Sequence, residues 1–262
     1  MAEKMEFTNA NSNIEEIQQK LRKEFLGKIK SLRDYSAICK EFFEKTGISL
    51  KILQKDSANF EENRSKLNTE PGVVISNHPS LFDVTAVSSL ITRDDVLAIS
   101  NEAHLWKGTT LEKNYIETPH EPYKIKKAFT LAKEHIKNGG LFRLFPSGGE
   151  ENSTGIFKFK SGFKNMLLDG SLDKDTMIYC FNVKGQSTQM SFEEKGEYRK
   201  KYFAYFFLKA ANQDTTVLGE LPPLEIILDE KYTKAEEWMS VLEKNPQDPN
   251  TALTEHYLEL FK

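Results

Sequence analysis

Asn77-His78-Pro79-Ser80-Leu81-Phe82-Asp83 is the segment of this 262-residue chain best equipped for chemistry. An imidazole followed five residues on by a carboxylate can act as a general base. The carboxylate holds one ring nitrogen and fixes the tautomer, which leaves the lone pair of the other nitrogen to take a proton. The spacing alone says little: with 5 His and 11 Asp in the chain, chance supplies about 0.2 such pairs. By itself His78 reads as a helix-capping or core histidine. A second segment, Leu141-Phe142-Arg143-Leu144-Phe145-Pro146-Ser147-Gly148-Gly149-Glu150, is an apolar run that stops at a proline and enters a glycine-rich turn. Backbone amides in such a turn can cradle an anion. A third, Phe157-Lys158-Phe159-Lys160-Ser161-Gly162, alternates aromatic rings with lysines.

The elements that must carry these segments follow from hydrophobic periodicity. Val73-Val74-Ile75 is a β-branched run flanked by polar residues, the pattern of a buried strand. The His-Asp segment therefore begins where a strand ends, and a helix is expected from Pro79 to about Leu90. Ligands of open α/β sheets bind at such strand ends. Proline suits a first helical turn, and Asp83 would lie near the positive end of the helix dipole. Further strands are expected at 96–99, 115–116, 141–145, 177–183 and 224–228. Helices are expected at 121–138, 161–169, 198–211, 233–243 and 250–261. Strands alternating with helices predict an α/β fold: a mixed, mostly parallel sheet flanked by helices over residues 69–262. Ahead of it, residues 1–68 read as an N-terminal helical segment. Ile14, Ile17, Leu21, Phe25 and Ile29 have helical spacing, and a second helix runs from about Asp34 to Gly47. Residues 54–70 read as a polar connection.

In order and spacing, the three segments resemble the glycerophospholipid acyltransferase superfamily, the lysophosphatidate and glycerol-3-phosphate acyltransferases. Asn77, His78, Ser80 and Asp83 match its N-H-x-S-x-x-D block. Phe145, Pro146 and Gly148 match its F-P-E-G-T-R turn, and Phe159, Lys160 and Gly162 its F-K-x-G segment; residues 178–183 stand where its last strand falls. The resemblance covers roughly residues 70–185. It implies direct acyl transfer from acyl-CoA or acyl carrier protein to a lipid or polar hydroxyl or amine acceptor. His78 would be the base and Asp83 its orienting partner. Asn77, Ser80, Ser147, Gly148, Gly149, Glu150, Lys158 and Lys160 become candidate substrate-binding residues, with the turn amides near Gly148 and Gly149 facing the oxyanion. No cofactor and no metal are implied.

The departures from the pattern bear on the acceptor. Ser147 stands where the family has Glu, and Glu150 where it has Arg. The family's F-I-x-R block is met here by Tyr115-Ile116-Glu117-Thr118, without the arginine. The family's arginines help bind the acceptor's phosphate, so an acceptor without a free phosphate is expected. Lys158, Lys160 and Arg143 remain as cations, although Arg143 lies within a strand.

Composition narrows the alternatives. Hydrophobic residues make up 39%, enough for a core. No run approaches the ~18 apolar residues of a spanning helix, and the first residues show no secretory signal. Two cysteines, Cys39 and Cys180, make no disulfide framework and fit a reducing cytoplasm. The net charge of −3 is uneven: residues 121–210 carry 16 basic and 10 acidic groups, which suits the phosphates of CoA, an acidic carrier or the inner face of a membrane. Nucleic acid is excluded by the acidic total and the lack of an arginine stripe. Tyr198, Tyr202, Tyr205 and Phe206 share a helix face with flanking lysines, which reads as a core-facing helix or as a peripheral membrane segment. Two rival functions stand beside acyl transfer. One is an esterase or thioesterase using Ser147, His78 and Asp83 as a triad, although Phe-Pro-Ser-Gly-Gly lacks the G-x-S-x-G elbow. The other is a non-catalytic acyl-lipid-binding protein.

Overall fold

The computed structural model describes residues 26–53, 60–78, 82–100, 103–117, 122–148, 158–185 and 190–262. Seven strands form one sheet: β1 (Ser49–Leu53), β2 (Gly72–Ser76), β3 (Val96–Ser100), β4 (Tyr115–Glu117), β5 (Leu141–Leu144), β6 (Met177–Gly185) and β7 (Glu225–Lys234). Their order is β1-β7-β6-β2-β5-β3-β4. Every neighbouring pair is parallel except β6 and β7. The mixed, mostly parallel α/β sheet expected from the sequence is therefore the fold. β2 sits at its centre, and all five of its residues are buried, as an unbroken Val-Val-Ile run requires when helices cover both faces.

Alternation along β2 divides the core into two layers. Val74 faces one cluster, built with α1 (Leu32–Thr46), α3 (Asp83–Ser88) and α6 (Phe192–Ala210). Val73 and Ile75 face the other, built with α4 (Pro122–Lys137), α5 (Ser161–Leu168), α7 (Ala235–Lys244) and α8 (Pro249–Glu259). The aromatic face of α6 turns inward, with Tyr202 and Phe206 almost fully buried. Phe206 packs on Phe42, and Tyr202 on Phe82. The core reading of 198–209 holds for these rings, and burial of this kind stabilises by about 2–3 kcal/mol per large side chain.

The sequence reading departs from the structure in several places. The segment expected as purely helical contributes β1, which pairs with β7 at the sheet edge, and residues 60–69 form α2 (Phe60–Thr69) rather than a connection. An exposed, five-residue edge strand leaves little apolar pattern. The helix expected from 14 lies almost wholly outside the described residues. The helix expected at 79 begins at Asp83, because Phe82 has φ −132° and ψ 25°, which is not helical. The strand expected to reach Phe145 stops at Leu144. Helix α6 begins six residues early, at a Ser191–Glu194 capping box. β7 runs on to Lys234, which moves the start of the next helix to Ala235.

Candidate active site

The end of β2 and the start of α3 bring the candidate base and its partner together. His78 Nδ1 lies 2.7 Å from Asp83 Oδ2. A carboxylate only accepts, so Nδ1 donates and Nε2 carries the lone pair. Asp83 is 1% exposed, and its other oxygen accepts from the Val84 N–H at 2.6 Å. Its place as the first residue of α3 lets the helix N-terminus stabilise the negative charge. The imidazole itself is about one-fifth exposed, open enough for a substrate to reach. One face of it stacks on Phe145, with ring centroids 4.3 Å apart and planes 19° from parallel. The sequence quotes Phe145 only as a motif match; this contact spans 67 residues and has no local signal.

The segment after β5 forms a tight turn. The Gly148 N–H donates to Phe145 O at 2.9 Å, and Gly148 has φ +71°, a conformation that favours glycine. The F-K-x-G segment then docks on this turn, with the Lys160 N–H donating to Pro146 O at 2.8 Å. The Lys160 side chain lies across Gly148, with Nζ 3.0 Å from where a Cβ would stand. Its ammonium therefore sits beside the turn that carries Phe145. Gly162 serves packing: a Cβ there would meet the Phe129 ring at 2.4 Å. Lys158 is exposed and close enough to Asp248 to act on its charge. The Asp248 carboxyl is held below its usual range by the Thr251 hydroxyl and N–H, with Lys158 adding to the effect.

Two expected substrate contacts are otherwise occupied. Asn77 is buried; its amide accepts from Val183 N at 2.7 Å and donates to Val183 O at 2.9 Å. It ties the end of β2 to β6. Its own N–H donates to Tyr257 Oη, which in turn donates to Phe181 O at 2.5 Å. Arg143 points into the layer of α1 and α3, 7% exposed, and donates to Ser88 Oγ at 2.6 Å. It lines a small cavity with Tyr35, Asn114 and Tyr115 and does not serve the turn. Ser147 is partly exposed in the turn. Ser80, Thr118, Gly149 and Glu150 lie outside the described residues. The C-terminal helix was not expected at the site. Yet Tyr257 braces Asn77, and Thr254 Oγ1 accepts from the Phe159 N–H at 2.9 Å.

Cys180 is a core thiol pushed up from its usual range by burial, and His135 Nε2 meets Asp95 O at 2.8 Å. Among the described residues no cluster of His, Cys, Asp and Glu could hold a metal ion. No helix among them is long and apolar enough to cross a membrane.

Comparison with known proteins bears on the same segments. Residues 58–184 match the family model described as Acyltransferase. No curated protein sequence matches the chain significantly. Among solved structures, the 1-acyl-sn-glycerophosphate (LPA) acyltransferase PlsC from Thermotoga maritima is similar in fold, with a TM-score of 0.53 at 14% identity. The alignment covers 88% of this chain and 79% of that one. The matched span takes in the His-Asp pair, the turn and the docked F-K-x-G segment; over it the chain is similar to the Acyltransferase family, and its overall fold is similar to that of PlsC.

Proposed function

We propose that the protein moves a fatty acyl group from acyl-CoA or acyl carrier protein to a lipid or polar hydroxyl or amine acceptor, with His78 as general base. The observation that carries this reading is the 2.7 Å bond from His78 Nδ1 to the buried Asp83 carboxylate, made at the end of the central strand. His78 Nε2 takes the proton of the acceptor as its oxygen or nitrogen attacks the thioester carbonyl. The C–S bond then breaks, and the imidazolium returns the proton to the departing thiolate. The products are an ester or amide and a free thiol, with no covalent enzyme intermediate. Asp83 stabilises the imidazolium formed midway. The Gly148 N–H is taken by Phe145 O, so the oxyanion role falls in this reading to a turn amide beyond it, as at Gly149, and the Lys160 ammonium beside Gly148 supports binding of an anionic donor there.

The acceptor is proposed to lack a free phosphate. A phosphate monoester carries close to two negative charges and is bound through cationic clamps. Thr118 and Glu150 stand at the family's two arginine positions. A neutral lysolipid, a lipid alcohol or an amine fits that charge pattern, and the donor would be met at the inner face of a membrane or in the cytoplasm. The experiment is a panel of acyl-CoAs and acyl carrier protein against lysophosphatidate, glycerol 3-phosphate, neutral lysolipids, alcohols and amines, read by mass spectrometry. An acylated phosphate-free acceptor supports the reading. Preferred acylation of lysophosphatidate refutes the acceptor assignment, and thioester hydrolysis with no acylated acceptor refutes transfer.

A further inference from the structure

We propose that Phe145 is a positioning residue for acyl transfer: its ring fixes the plane of the His78 imidazole and stabilises the imidazolium that forms in the transition state. The proposal rests on His78 being the base. Asp83 holds the imidazole at one edge, through a hydrogen bond of 2.7 Å to Nδ1. A bond at an edge fixes distance more firmly than the plane of the ring. The Phe145 ring, 4.3 Å away and 19° from parallel, sets that plane by covering one face. The base nitrogen is then held in one direction. Misorientation of a reacting group costs rate even when the group is present.

The sheet makes Phe145 a firm support. It is the first residue after β5, between buried Leu144 and buried Pro146. Its carbonyl accepts the Gly148 N–H, and the carbonyl of Pro146 accepts the Lys160 N–H. The backbone that carries the ring is therefore held both by the turn and by the segment docked on it. The contact also discriminates between protonation states. The face of a phenyl ring is electron-rich and attracts a cation more than a neutral ring. A stack that strengthens as His78 gains its proton is an interaction realised in the transition state, and such interactions raise kcat rather than lower KM.

The test uses the full-length chain with Phe145→Leu, which keeps apolar bulk and removes the aromatic face, and Phe145→Tyr, which keeps the ring. Phe145→Met serves as a second non-aromatic variant, and thermal unfolding checks each fold. With the donor and acceptor found most active, Phe145→Leu should lower kcat by about 3- to 10-fold with KM within about twofold, and Phe145→Tyr should restore kcat. In the substrate-free protein, the ring-current displacement of the His78 imidazole protons should vanish in Phe145→Leu and persist in Phe145→Tyr. Wild-type kcat in Phe145→Leu and Phe145→Met overturns the inference, as does a rise in KM alone. If those variants are unaffected while His78→Ala is inactive, the positioning role fails and the base assignment stands. Full activity in His78→Ala removes both.

Discussion

Replacing Asp83 with Asn is the sharpest single-atom perturbation of the pair. The substitution keeps shape and removes charge. Asp83 now accepts from His78 Nδ1 at 2.7 Å and from the Val84 N–H at 2.6 Å. In the variant the amide oxygen can keep the Val84 N–H, which leaves the amide NH2 facing His78. An NH2 group donates, so the imidazole must offer Nδ1 as acceptor and carry its proton on Nε2. That tautomer cannot take a proton at Nε2. Loss of the charge-assisted bond is worth about 1.5–3 kcal/mol, or roughly 10- to 150-fold. The tautomer change adds to it, and the combined loss in kcat is expected to be about 10³-fold or more. Stability should hold within about 1 kcal/mol, because a buried negative charge is removed along with the bond it made. The assay is release of free thiol from the acyl donor in the presence of acceptor, with circular dichroism and thermal melting as controls. A folded Asp83→Asn protein within threefold of wild-type kcat would refute the reasoning.

Three other outcomes follow from named contacts. Asn77→Ala removes a hydrogen-bond pair to Val183 inside the sheet, so it should cost about 2–3 kcal/mol in denaturant unfolding and leave KM nearly unchanged in the folded fraction. Ser147→Ala should retain turnover, and intact-mass measurement after incubation with a thioester should show no acyl adduct; an adduct on Ser147 would establish the triad instead. Glu150→Arg restores one cation of the family pattern, so trace activity on lysophosphatidate should rise; wild-type kcat/KM on that acceptor near ~10⁴ M⁻¹s⁻¹ or above would contradict the acceptor argument.

The parts of the molecule written locally were legible in the sequence. Val73-Val74-Ile75 must be a buried strand wherever it lies, and His78 and Asp83 are close enough in sequence to meet across one turn. What was lost depends on partners far away. The bonds of the Asn77 amide to Val183, 106 residues on, have no local signal. Phe82 sits outside the helix and packs against Phe42, Tyr202 and Phe203, contacts that no local propensity records. β1 escaped because edge residues alternate between exposed and half-buried, and a Ser-Leu-Lys-Ile-Leu run of five carries too little contrast. The Ser191–Glu194 box is different in kind: its S-x-x-E signal stood in the sequence and would have placed the start of α6 correctly. The contributions of Thr254 and Tyr257 to the site follow only from docking of the last helix.

The central claim is that His78 is the base for transfer of an acyl group to an acceptor. Its most direct test is a comparison of wild type and His78→Ala, following released thiol and acylated acceptor in the same reaction. The account predicts that wild type yields the two in equal amounts, and that His78→Ala loses both by at least ~10² while its melting curve stays that of a folded protein. Equal rates in the two proteins, or thiol release in wild type with no acylated acceptor to match it, would contradict the account.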